Sequence, residues 1–244
     1  MGSTTETRRA DGAVRVLKAG ERGRTDWGWL DSRHTFSFGE YHDPRQMGFR
    51  SLRVINDDRV AAGAGFGTHG HRDMEILSYV LEGAIEHKDS MGTGSVIRPG
   101  EIQMMRAGTG VMHSEYNPSK TEGLHFLQIW IVPDRVGLAP AYGQRPVDRE
   151  AARGGFALLA SKDGRDGSLQ IAQDASVWMA LIEKGERREL PLRSGRSAWV
   201  HVARGVVDVN GHALSEGDGA AVTGTEAVAL AGTGSAEVLV FDLA

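Results

Sequence analysis

Four side chains able to hold a transition metal occur as two closely spaced pairs, His69-Gly70-His71 and His113-Ser114-Glu115. In a strand, residues i and i+2 project to the same face, so each pair aims two donors at one place. If the two segments lie together, three imidazoles and a carboxylate converge, a set that suits iron, copper, nickel, cobalt, manganese or zinc. A single His-x-His is an ordinary surface or packing feature. Two such pairs, each beside a glycine-rich turn, point to one metal site. The chain has no cysteine, so disulfides, thiolate ligation and a cysteine nucleophile are excluded, and nitrogen and oxygen must do the holding.

Other residues are placed around this set by the same parity. Glu75 stands at an even offset from both His69 and His71; in an uninterrupted strand it shares their face, as a fifth ligand or as an acceptor that fixes an imidazole tautomer. Leu77 and Tyr79 fall on that nominal face as candidate pocket lining. His34 is expected either to cover the site from the N-terminal segment or to be a structural histidine, and His125 is read as structural. His42, His87, His201 and His212 have no neighbouring ligand pattern. The glycine-rich stretches 63–67 and 107–110 precede no helical pattern and read as turns, not nucleotide loops. No serine stands in a Gly-x-Ser-x-Gly context.

The elements that must position these residues are short strands. Glycine supplies 33 of the 244 residues, and it permits the positive φ that tight turns need. Strand-like runs at 51–56, 75–81, 85–88, 102–105, 124–132, 177–182, 198–202, 206–209 and 238–241 are separated by Gly, Asn and Asp, as at Gly83, Asn210-Gly211 and Gly217-Asp218-Gly219. Helical periodicity is scarce, so a sandwich or barrel is expected. Residues 80–86 and 202–208 share strand, tight turn, strand, which makes the two halves degenerate copies of one antiparallel unit. The proline-bearing stretch 132–155 reads as a connector with room for a short helix. The expected division is a disordered tail over 1–12, a metal-binding domain over 13–146 and a second domain over 147–244.

A net charge of −4 with both signs interspersed offers no phosphate-binding surface, so nucleic acid is an unexpected partner. No apolar run is long enough to span a bilayer, and the polar start carries no secretory signal; a cytoplasmic protein without membrane contact is expected.

The spacing Gly63, His69-x-His71, Glu75, Gly83 resembles the first cupin motif with one residue added before the last glycine. Gly110-Val111-Met112-His113 followed by Asn117 resembles the end of the second, while Gly108 stands where that motif usually has proline. A carboxylate two residues after the second-motif histidine, as in His113-Ser114-Glu115, resembles the pirin branch of the cupins, as do Trp27-Gly28-Trp29-Leu30-Asp31-Ser32 and the run 51–58.

The resemblance covers about Val14 to Leu243 and is nearest to bacterial pirin-like quercetin 2,3-dioxygenases. It implies an all-β bicupin, two antiparallel jelly-roll barrels in one chain, with the second barrel degenerate. Pro191, Arg193, Leu230 and Gly232 stand at the second barrel's ligand positions, so one metal ion per chain is expected. Cellular supply favours Fe2+, with Cu2+, Ni2+, Co2+, Mn2+ or Zn2+ as alternatives. By the same resemblance the substrates are a flavonol and O2, His69, His71, His113 and Glu115 hold the metal, and Glu115 also takes the flavonol's 3-hydroxyl proton before ring opening releases carbon monoxide. The alternative it implies is a metal- and redox-sensing protein that docks on a transcription-related or metabolic-enzyme partner; a zinc hydrolase or isomerase is a weaker third. Two barrels buried against each other make a monomer sufficient.

Overall fold

A computed structural model describes residues 13–244; the tail expected over 1–12 lies outside them. Apart from the helix Arg149–Gly154 and two short 3-10 turns, the regular structure is strand. The first half forms two sheets. One has seven strands in the order Ala141–Pro146, Glu101–Arg106, Glu75–Glu82, Leu124–Ile131, Leu52–Val60, Leu30–His34, Gly23–Asp26. The other has four, in the order Gly65–His71, Val111–Tyr116, Ile85–Asp89, Gly94–Ile97. Every pairing in both is antiparallel.

The central strands Glu75–Glu82 and Leu124–Ile131 are almost continuously buried because both faces are covered. Val80, Leu124 and Phe126 turn into the first barrel, with Ile85 and Ile97 from the facing sheet. Leu77, Tyr79, Leu127 and Ile129 turn the other way, onto Trp199 and Phe241 of the second half. Full burial of one such side chain is worth about 1.5–3 kcal/mol, so this junction is a core in its own right. Leu77 and Tyr79 therefore do not line the site, contrary to the parity expectation. The segments Gly65–His71 and Glu75–Glu82 are separate strands in different sheets, and the break at Asp73 (φ 48°) resets the count.

The second half is one nine-stranded sheet bent around an aliphatic interior that includes Val200, Val202, Val207, Val228, Leu230 and Val240. The repeat at 80–86 and 202–208 is a barrel corner, not a hairpin turn. Gly83 (φ 73°) carries the chain from the seven-stranded to the four-stranded sheet, and Gly205 (φ 79°) bends the unbroken strand Ser197–Val209 at a bulge. A Cβ at either glycine would strike a neighbouring carbonyl, Gly123 or Ser235 respectively.

Two segments depart from the expected organisation. The strand Ala13–Leu17, assigned by sequence to the first domain, pairs with Gly219–Thr223 in the second-half sheet. Within the expected connector, Ala141–Pro146 is an edge strand on Glu101–Arg106. Prolines at 140 and 146 and a glycine at 143 mask its pattern, and an edge accepts a proline that a central strand would not. The connector's short helix is Arg149–Gly154, capped by Asp148, whose side chain accepts from the Ala151 N–H.

Candidate metal centre

The strands Gly65–His71 and Val111–Tyr116 run antiparallel with His113 directly opposite His69 and Val111 opposite His71. The register slips between His113 and Glu115, which faces Phe66, so Gly65–His71 carries one extra residue there. Gly67 lies in that bulge, and its carbonyl accepts from His69 Nδ1 at 2.8 Å, which leaves the Nε2 lone pair free to point inward. The three rings of His69, His71 and His113 converge with centroids 4.5–4.8 Å apart. His71 packs edge-on against Trp130 at 4.8 Å.

Glu115 is buried between the two sheets. Gln128 Nε2 donates to its Oε2 at 2.8 Å and Ser78 Oγ to its Oε1 at 3.2 Å. The donor atoms of His69, His71 and His113 lie within 4.8 Å of one another, and those of His87, His113 and Glu115 form a second group on the same criterion, with His113 common to both. His87 has no ligand pattern beside it in the sequence, and both its nitrogens are engaged: Nε2 donates to Asp89 at 3.0 Å and Nδ1 accepts from Gln103 at 3.1 Å. It supports His113 from behind, centroid to centroid 5.3 Å.

Whether a metal fits can be judged from the nitrogens. His69 Nε2 and His113 Nε2 face each other at 3.1 Å, a spacing that needs a shared proton or a cation. Two ligands about 2.0–2.1 Å from one ion and near a right angle apart stand about 3 Å from each other. Burial pushes His113 down to about 3, helped by the neighbouring His69, His71 and His87. Burial and then His69 push His71 down to about 4. At neutral pH these rings are thus neutral, the form that ligates. Burial pushes Glu115 up to about 7, against the Ser78 and Gln128 hydrogen bonds that favour its charge. The donor set fits a divalent transition metal.

The remaining predicted residues fall elsewhere. Glu75, which is fully buried, faces the second half and accepts from Arg106 Nε at 2.8 Å, so it is neither ligand nor tautomer anchor. His34 borders the site's cavity, with Nδ1 donating to Asn56 at 2.8 Å and Nε2 accepting from Thr25 at 2.9 Å. Burial lowers its pKa, and it is a satisfied wall residue. His125 donates to Asp57 at 2.7 Å.

A cavity of about 600 Å³ opens onto His69, His71 and Glu115. Trp27, Trp29, Phe38, Phe66 and Trp130 form its aromatic walls, and Ser32, His34, Asn56, Asp58 and Gln128 its polar side. That polar side follows the strand register, in which His34, Asn56, Gln128, Ser78 and Gln103 succeed one another across five strands. The signal in the sequence is a lone polar residue inside an apolar strand, such as Gln128 in Leu124–Ile131.

Family models match in both halves, one described as Pirin over residues 12–131 and one as Quercetinase C-terminal cupin domain over residues 158–243. A quercetin 2,3-dioxygenase of Escherichia coli K12 is 50% identical over 230 residues, covering 94% of this chain and 98% of that one. The crystal structure of YhhW from Escherichia coli superposes with a TM-score of 0.92 at 49% identity, over 95% of this chain and 98% of that one. A crystal structure of the bacterial pirin YhhW in complex with nickel(II), also from Escherichia coli, gives 0.91 at 48% identity, over 95% and 99% of the two chains. Sequence and architecture agree along nearly the whole length, and the chain belongs to the pirin family of two-barrel cupins.

Proposed function

We propose that the protein is a metal-dependent dioxygenase that opens the heterocycle of quercetin or a related flavonol with release of carbon monoxide. The observation that carries the reading is the convergence of the His69, His71 and His113 imidazoles, with the buried Glu115 carboxylate joined to them through His113, beside an aromatic-walled cavity. The cavity volume lies in the range of small-molecule sites. The names of relatives and the nickel(II) complex of a similar protein support the same reading.

His69, His71, His113 and Glu115 are the proposed ligands, with iron favoured as the native ion. The metal, when bound, supplies Lewis acidity and the electronic means to engage dioxygen. The chain's own residues do the rest. Aromatic side chains accept the flat ring system and exclude water from the reacting end. Glu115 takes the proton of the flavonol 3-hydroxyl, its buried carboxylate standing beside the histidine cluster and at the cavity wall. Ser78 and Gln128 hold that carboxylate in place, so that little reorganisation accompanies the transfer.

Protein purified without added metal should carry a transition metal by elemental analysis and should consume quercetin in air but not anaerobically, with carbon monoxide detected. Glu115→Gln should retain metal and lose turnover by about 10²-fold or more. Full activity in that variant with metal retained would refute the base assignment, and metal-loaded wild type inert toward flavonols would refute the dioxygenase.

A further inference from the structure

Asp57 and Asp58 are adjacent on the strand Leu52–Val60, so alternation sends them to opposite faces. Asp57 faces the second half and is fully employed, accepting from His125 at 2.7 Å and Arg22 at 3.2 Å. Asp58 faces into the first barrel. It lines the same cavity as His69, His71 and Glu115, opposite Ser32 in the strand register and next to Phe126.

Asp58 is 3% exposed, and its Oδ1 has no hydrogen-bond partner. The groups that act on its charge are Ser32, which faces it, and the carboxylates Asp57 and Glu115; none is a cation. Burial pushes its pKa up to about 7. An unprotonated carboxyl oxygen remains in either ionisation state, so an acceptor is available throughout the neutral range. A buried acceptor atom without a partner inside a ligand cavity is destabilising until a donor arrives, and the hydroxyl of Ser32, which faces the carboxyl, leaves Oδ1 unmatched.

We infer that Asp58 selects for a substrate carrying a second hydroxyl group, which donates to the free Asp58 Oδ1 when the 3-hydroxyl is at the histidine cluster. This rests on the dioxygenase reading and names what that reading leaves open, the ring substitution the pocket prefers. Asp58 acts here as a specificity determinant and takes no part in the proton transfer assigned to Glu115. A site built to accept from a hydroxyl discriminates against the analogue that lacks it, because the acceptor is then buried unpaired.

The test compares quercetin with 3-hydroxyflavone, which has only the one hydroxyl. Affinity is read anaerobically on metal-loaded protein from quenching of the cavity tryptophans, and kcat/KM is read in air. Wild type should prefer quercetin by about tenfold or more in affinity. In Asp58→Leu the preference should collapse toward unity through weaker quercetin binding, with metal content retained. Asp58→Ala, which adds no bulk, provides the same comparison should the leucine variant fail to fold. Equal wild-type affinities, or a preference that survives in a folded variant, overturn the inference while leaving the dioxygenase intact. A wild type that binds neither compound defeats the dioxygenase reading and the inference with it.

Discussion

Replacing His201 with leucine should remove most of one component of the protein's acid lability. His201 lies on Ser197–Val209 on the face shared with Trp199, is 1% exposed, and has both ring nitrogens without a partner. Burial, then the Arg22 guanidinium, push its pKa from 6.5 down to about 3, while Asp57 and Asp218 pull weakly the other way. Between those values the unfolded chain binds a proton that the folded chain refuses, so stability falls as the pH drops below 6.5 and the decline ends near 3. At pH 5 the loss is about 2 kcal/mol, from about 1.4 kcal/mol per unit over roughly 1.5 units. His71 and His113 act in the same direction in metal-free protein, so the quantity to read is the difference between wild type and variant. Denaturant unfolding at pH 7.5 and pH 5.0 gives it directly. His201→Leu should lose about 2 kcal/mol less than wild type over that step and should be no less stable at pH 7.5, since it removes two unpaired buried groups. Equal losses in the two proteins would show that His201 is protonated or hydrated in the fold, and the reasoning would fail.

Two further substitutions test the placement of Glu75 and the turn at Gly108. Glu75→Gln keeps an acceptor for Arg106 but drops the charge; it should cost about 1–3 kcal/mol in denaturant unfolding with metal content unchanged, and a folded variant that loses metal would return Glu75 to the site. Gly108→Ala should lower thermal stability by about 2 kcal/mol or more and weaken nickel binding, because φ is 47° there and a Cβ would meet the Leu138 carbonyl just ahead of the His113 strand. Wild-type melting and affinity would contradict that account.

The histidine pairs were legible because their signal is local: a two-residue period survives whatever the rest of the chain does. The same rule failed for Glu75, Leu77 and Tyr79 because the left-handed Asp73 divides what looked like one strand. His87, Ser78 and Gln128 were invisible as site residues, since Ser78 and Gln128 reach Glu115 only through the closing of one sheet over another, and His87 meets His113 and Glu115 only through a strand pairing that the sequence does not announce. Gly108 departs from the usual proline of the motif because the chain makes a left-handed turn there, under a passing carbonyl. The barrel count followed from turn density and the repeat, but pairing partners did not. Nothing in residues 13–17 says that their partner lies some 200 positions away.

That long-range pairing links the two barrels in a way that their boundary in sequence conceals. Because Ala13–Leu17 belongs to the far sheet, the polypeptide leaves the second barrel, builds the first and returns. A cut in the 132–140 stretch would therefore give two fragments that still clasp each other, each holding a piece of its neighbour's wall. Neither barrel can be excised at a single point without tearing a strand from the other, and engineers seeking an isolated metal-binding half would have to graft or delete that first strand.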